Sequence, residues 1–246
     1  MNIIGVDCAT DPKKVGIAMG KFIDGKCELL SAQRGTTWSS LVQQINGCLL
    51  GEGSAMLALD APLGWPDALG KVLAKHVAGC VIEKEPNLMF RRTTDRFIKS
   101  KIGKQPLDVG ADRIARTARA ALELLSKVRK ASGHRIPLAW NPGKQEEVVA
   151  IEVYPAATLT AYGLPNTGYK DRKGVQQRKK IIDGLAEHMQ LPTDTQSMED
   201  SDDALDAAVC VLAGKDFLIS NAIPPENNIM AEKEGWIWVR PLCKKS

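Results

Sequence analysis

The stretch SMEDSDDALDAAVC, residues 197 to 210, packs five carboxylates into eight positions and then turns into small apolar residues. Acidic groups in a first helical turn complement the positive end of the helix dipole and cap its free N–H groups, which accounts for Glu199, Asp200 and Asp202. Asp203 and Asp206 stand three apart on one helix face, and that face continues through Cys210 and Ala213 as an apolar stripe. From Ala204 to Ala213 the only polar side chain is Asp206, so the helix is expected to be buried on most of its surface. A carboxylate buried there is costly unless a basic side chain or a cation offsets it.

Three more carboxylates sit where a sheet would present them. NIIGVD reads as a short buried strand ending at Asp7, AMLALD as another ending at Asp60, and EEVVAIEVYP as a third with Glu152 near its end. In α/β sheets the site-forming edge lies at the carboxyl ends of parallel strands. If these three strands are parallel neighbours, Asp7, Asp60 and Glu152 converge with Asp203 and Asp206. Such a cluster repels itself severely without cations, and Mg²⁺ or Mn²⁺, which prefer oxygen ligands, relieve the repulsion. Two basic stretches suit an anionic partner. FRRTTDRFIKSKIGK carries Arg91, Arg92, Arg96, Lys99, Lys101 and Lys104, and YKDRKGVQQRKK carries Lys170, Arg172, Lys173, Arg178, Lys179 and Lys180. Asp95 is expected to pair with a neighbouring arginine, leaving Arg92 and Arg96 as the better phosphate contacts through the bidentate guanidinium fork. Trp65, Trp236 and Trp238 could stack on bases, but their settings suit a packed core better.

The elements that must position these groups follow from periodicity. KVGIAMG and KCELLSAQ add two strands to NIIGVD, making a three-stranded meander, and TTWSSLVQQINGCLL has helical spacing of its apolar residues. APLGWP, after Asp60, has two prolines and a glycine and must be a shaped loop. From about Asp67 to Lys130 the pattern is helical, with DRIARTARAALELLSKVRKA its clearest amphipathic segment. A short helix through AATLTAY, a helix from Gly174 to Met189, the acidic helix, and a terminal strand or edge segment GWIWVRP complete the order.

With these residues in place the chain resembles the RNase H-like superfamily and, within it, a family catalogued as a domain of unknown function and described as predicted RNase H-like nucleases. GVDCAT, LALDAPLGWP, FRRTTDR, EVYPAATL, DDALDAAVC and EGWIWV carry the resemblance, which spans nearly the whole chain. The pair Asp203 and Asp206 also looks like the late-helix pair of Holliday-junction resolvases. The resemblance implies one α/β domain over residues 1–246: a mixed five-stranded sheet with the second strand antiparallel, flanked by helices, and a helical insertion at about 66–132 between strands 4 and 5. It further implies a metal-dependent nuclease hydrolysing phosphodiester bonds by a two-metal mechanism. Asp7, Asp60, Glu152, Asp203 and Asp206 would be its catalytic and metal-binding residues, and Arg91, Arg92, Arg96 and Lys170 would hold DNA or RNA.

Two other readings stand beside it. A non-catalytic nucleic-acid-binding protein on the same fold would use the carboxylates as caps and salt bridges. A sugar-kinase-like phosphotransferase would share the strand, acid and turn of GVDCATDPKK, but there is no G-x-x-x-x-G-K-[ST] or G-x-G-x-x-G signature for its nucleotide. The six cysteines show no C-x-x-C spacing and the three histidines are far apart, which argues against a zinc site, a disulfide framework or a Ser-His-Asp triad. A net charge of +4 permits an anionic partner without requiring one. MNIIGVD has neither a basic leader nor a long apolar run, and no stretch reaches the length of a membrane span, so a cytoplasmic, soluble protein is expected.

Overall fold

The computed structural model describes residues 1–50, 53–110, 112–143 and 145–243. The rest of the 1–246 span expected to form one domain, residues 51, 52, 111, 144 and 244–246, lies outside the described residues. In chain order the elements are β1 (Asn2–Asp7), β2 (Gly16–Ile23), β3 (Lys26–Arg34), α1 (Trp38–Leu49), β4 (Ala55–Asp60), α2 (Asp67–Leu73), α3 (Pro86–Phe90), α4 (Thr93–Ile102), α5 (Asp112–Ser132), β5 (Val149–Glu152), α6 (Pro155–Ala161), α7 (Val175–Ala186), α8 (Gln196–Asp200), α9 (Asp202–Leu218) and α10 (Asn228–Glu234). The strands form one sheet in the order β3-β2-β1-β4-β5. β2 runs antiparallel to β1 and β3, while β1, β4 and β5 are mutually parallel. The fold is therefore the α/β arrangement expected of an RNase H-like chain, a mixed five-stranded sheet with its second strand reversed. Four helices, α2 to α5, lie between β4 and β5.

Each face of the sheet buries its own apolar set. Ile3, Met56, Ala58 and Ile151 pack with α9, whereas Ile4, Val6, Leu57, Leu59 and Ala150 pack with residues of α1 and α5. Period-2 alternation along β1, β4 and β5 makes this division possible, because paired residues of parallel neighbours point the same way.

The acidic segment is not one helix. Ser201 has an extended backbone, ends α8, and accepts the Ala204 N–H at 3.2 Å as the N-cap of α9. From Ala204 onward α9 is buried almost all round, as a core helix should be. Its approach to the sheet depends on glycines. A methyl group on Gly5 would strike the Ala207 carbonyl, one on Gly16 the Asp203 carbonyl, and one on Gly20 the Val211 side chain. With no side chains at these three sheet positions, α9 lies against β1 and β2, and Asp206 comes down beside the ends of β1 and β4. An alanine at Gly5 or Gly16 would cost about 1–3 kcal/mol or more of strain and push the helix outward.

The tail segment GWIWVRP pairs with β5 through an isolated parallel bridge between Ile237 and Glu152. Trp236 and Trp238 are buried, packing against Phe97 and Phe217. No helix among the described residues is long and apolar enough to cross a membrane.

Candidate metal centre and nucleic-acid cleft

Register decides which strand-end carboxylates can meet. β1 and β4 pair Asp7 directly with Asp60, and both project to the α9 face. β5 is offset: Glu152 pairs with Leu59, not with Asp60, so it points to the opposite face. Asp206 arrives from α9. One oxygen from each of Asp7, Asp60 and Asp206 can be chosen so that all three lie within 4.8 Å of one another.

The trio carries more negative charge than its surroundings easily accept. Burial raises the Asp7 carboxyl well above the ordinary range, and Asp206 and Asp60 raise it further. Burial likewise pushes Asp60 up to about 7, with Lys170 opposing and Asp206 and Glu152 adding repulsion. Asp206, fully buried, is raised by burial against the pull of its two partners, Lys170 and Tyr169. Its Oδ1 accepts the Tyr169 hydroxyl at 2.8 Å, and the Lys170 ammonium lies 2.6 Å from Oδ2. Burial favours a neutral Lys170, but Asp206 and Asp60 outweigh it and raise its pKa. The side chain remains 57% exposed, so the ammonium reaches the trio from solvent on a mobile stem.

Tyr169 and Lys170 belong to the loop between α6 and α7, which a buried arginine holds in shape. Arg178 donates to the carbonyl oxygens of Tyr169 (2.5 Å), Asp171 (3.1 Å) and Glu199 (2.6 Å). The basic run at 170–180 is therefore not one solvated face: Arg178 is a clamp inside it. Neither Tyr169 nor this clamp stands out in the sequence, because Tyr169 is defined by Asp206 on α9 and the clamp joins its own loop to Glu199 on α8, partners more than twenty residues away.

The remaining two expected carboxylates are occupied. Glu152 accepts Arg92 Nη1 at 2.9 Å and Nη2 at 2.7 Å, together with the Leu63 N–H at 2.9 Å from the loop after β4. Asp95 takes Arg92 Nε at 3.1 Å and Nη2 at 2.9 Å, and the Glu234 carbonyl takes Nη1 at 3.2 Å. All five guanidinium N–H donors are thus spent, and Arg92 is 1% exposed. The expectation that Arg92 contacts phosphate is corrected on that ground: Arg92 is itself the arginine that pairs with Asp95. Asp203, on the same face of α9 as Asp206, is drawn to the edge strand instead and pairs with Arg34 at 2.6 Å.

Arg91 and Arg96, partly exposed, make contacts within their own hairpin of helices. Arg91 binds Asp108 and Asn87 (2.8 and 2.7 Å), and Arg96 the Arg91 carbonyl at 2.5 Å. A cleft of about 590 Å³ opens over Asp7 and Asp60, with Lys170, Tyr154, Lys104 and Asn166 also on its border, while Asp206 lies buried behind it. Lys104 donates to the Asn166 side chain at 3.1 Å, placing a second ammonium on the wall.

The donor set fits a hard divalent cation. All three groups offer carboxylate oxygens, and their spacing, within 4.8 Å, falls inside the roughly 4.2–5.2 Å across spheres of oxygens bound at about 2.1–2.6 Å. Their mutual repulsion is what such an ion would relieve. Glu152 and Asp203 lie outside the trio.

A family model described as "Protein of unknown function (DUF429)" matches residues 5–228. No curated protein matches the chain. Among solved structures the chain is similar to T. thermophilus RuvC in complex with Holliday junction substrate. Identity is 10%, the match covers 92% of this chain and 99% of that one, and the TM-score is 0.37.

Proposed function

The chain belongs to the family Protein of unknown function (DUF429), and we propose that it is a divalent-metal-dependent hydrolase of phosphodiester bonds in nucleic acid. The observation that carries this reading is the convergence of Asp7, Asp60 and Asp206, with Asp7 and Asp60 lining a cleft whose walls bear Lys104 and Lys170 and Asp206 buried behind them. Those three carboxylates would hold Mg²⁺ or Mn²⁺. Held there, such an ion would supply an acidified water and would offset charge building on phosphate oxygens.

The chain's own groups do the rest. Tyr169 fixes the Asp206 carboxylate, and Arg178 fixes Tyr169. Lys170, on its exposed stem, is free to exchange Asp206 for a phosphate oxygen, and Lys104 offers a second phosphate contact. The two-metal form of the mechanism needs carboxylates beyond the trio, and the other two expected ones, Asp203 and Glu152, are engaged by Arg34 and Arg92. One resident ion with Lys170 as the second positive charge is the form these side chains favour. Arg91 and Arg96 remain candidate substrate contacts at the cleft rim.

The Lys170 ion pair also favours a second reading, because it offsets part of the charge without metal. A non-catalytic binding protein would then respond weakly to divalent ions. The test is cleavage of labelled single-stranded, duplex, hybrid and branched DNA and RNA in Mn²⁺ against EDTA, with Asp7→Asn as control. Metal-dependent cleavage that vanishes in Asp7→Asn supports the hydrolase. Absence of cleavage together with unchanged thermal stability in Mn²⁺ favours the binding protein.

A further inference from the structure

On the far side of α5 from the main cleft lies a second hollow of about 350 Å³, bordered by Thr10, Trp38, Arg116, Arg119, Glu123 and Lys127. α5 is the wall between the two: Ile114 and Thr117 face the main cleft, and Arg116 and Arg119 face this one. Thr10 is three residues beyond Asp7, so the hollow begins within about 11 Å of chain from the trio.

Its chemistry is that of a strand-binding surface. Trp38 packs on one side against the core cluster of α1 and α5 but is only half-buried, unlike Trp236 and Trp238, and it also borders an adjoining hollow of about 450 Å³. The Lys127 ammonium sits 5.3 Å from its ring centroid. Glu123 is the carboxylate in the hollow, and it is engaged by Lys127 at 3.1 Å, with Arg119 farther off at 3.8 Å. Arg119 is left with its side chain 81% exposed, and Arg116 is exposed with no ion-pair partner among the described residues. An indole beside one exposed guanidinium and a second held only by a long ion pair matches a base next to phosphates.

We propose that this hollow is a subsite for single-stranded nucleic acid, Trp38 stacking on an unpaired base while Arg116 and Arg119 hold flanking phosphates. A single strand is specified because a duplex keeps its base faces stacked on one another and offers none to Trp38. The subsite deepens the hydrolase reading and rests on it for its place along the substrate.

The test is fluorescence anisotropy of a labelled oligothymidylate and of a matched duplex, in EDTA, across a salt series, so that the outcome is independent of catalysis. The exposed pair Arg116→Gln/Arg119→Gln should weaken single-strand binding about tenfold. It should also flatten the slope of log K against log salt by about 1.4, two contacts' worth for a single strand. Trp38→Leu should weaken binding at least about fivefold with the slope unchanged, and a melting curve for each variant checks the fold. No binding by the wild type, unchanged affinity and slope in the arginine pair, or equal binding of duplex overturns the subsite. Failure of the hydrolase reading looks different: no cleavage in Mn²⁺ while strand binding and its loss in the arginine pair persist.

Discussion

Asp60 and Glu152 end neighbouring parallel strands, yet their charges are handled in opposite ways. Glu152 is met by a guanidinium with all five donors used, in a buried network that also ties down Asp95 and the Glu234 carbonyl. Asp60 shares a cluster with Asp7 and Asp206 that has one ammonium nearby, delivered on an exposed stem. The first arrangement fixes β5, α4 and the C-terminal end of α10 to one another. The second leaves oxygens facing a cleft and repulsion unrelieved. A strand-end carboxylate is thus marked as structural or chemical by how its charge is compensated, and its position at the sheet edge does not tell the two apart.

Breaking the Glu152 side of this contrast should give the largest effect. Arg92→Met strands two buried carboxylates, and removing one partner of a buried pair costs about 3–5 kcal/mol. The melting temperature should fall by roughly 10 °C, in EDTA and in Mn²⁺ alike, as calorimetry would show. On the other side, Asp206→Asn should reduce metal-dependent cleavage by at least about 100-fold, about 2.7 kcal/mol at 1.36 per decade. It should also abolish stabilisation by Mn²⁺ while leaving the fold intact in EDTA.

A smaller effect sharpens the electrostatics. The Asp60 carboxyl is raised to about 7 in the folded protein, against about 3.9 in an unfolded chain. The folded state binds that proton more tightly, so the stabilisation is complete below the unfolded value and is lost as pH rises through about 7. In EDTA, Asp60→Asn should therefore gain on the wild type between pH 5 and pH 8, by a few degrees in melting temperature. A difference independent of pH would contradict the repulsion assigned to the trio. The smallest effect is expected at Arg34, whose pair with Asp203 is half-exposed. Arg34→Gln should cost less than about 1 kcal/mol and leave Mn²⁺ affinity within about threefold.

The sequence carried the strand-ending carboxylates and the buried stripe of α9 openly, because two- and 3.6-residue periods are local signals. Asp7, Asp60 and Asp206 were legible for that reason. What it withheld depends on distant pairing. The register that turns Glu152 away from Asp60 is set by how β5 docks on β4, and the arginine that neutralises it lies sixty residues upstream. Asp203 shares a helix face with Asp206, yet Arg34 on the edge strand claims it. The break at Ser201 was also hidden, since acidic residues on both sides of it each suit a first helical turn and leave open which residue is the cap. Trp38 looked like an ordinary helix residue until α5 was placed beside it.

The most direct test of the contrast is calorimetric titration of Mn²⁺ into the wild type, Asp7→Asn and Glu152→Gln, each checked for folding at the same temperature. The account predicts one bound ion in the wild type, none in Asp7→Asn, and near wild-type affinity in Glu152→Gln. Undiminished binding in Asp7→Asn, or binding lost in a folded Glu152→Gln protein, would contradict it.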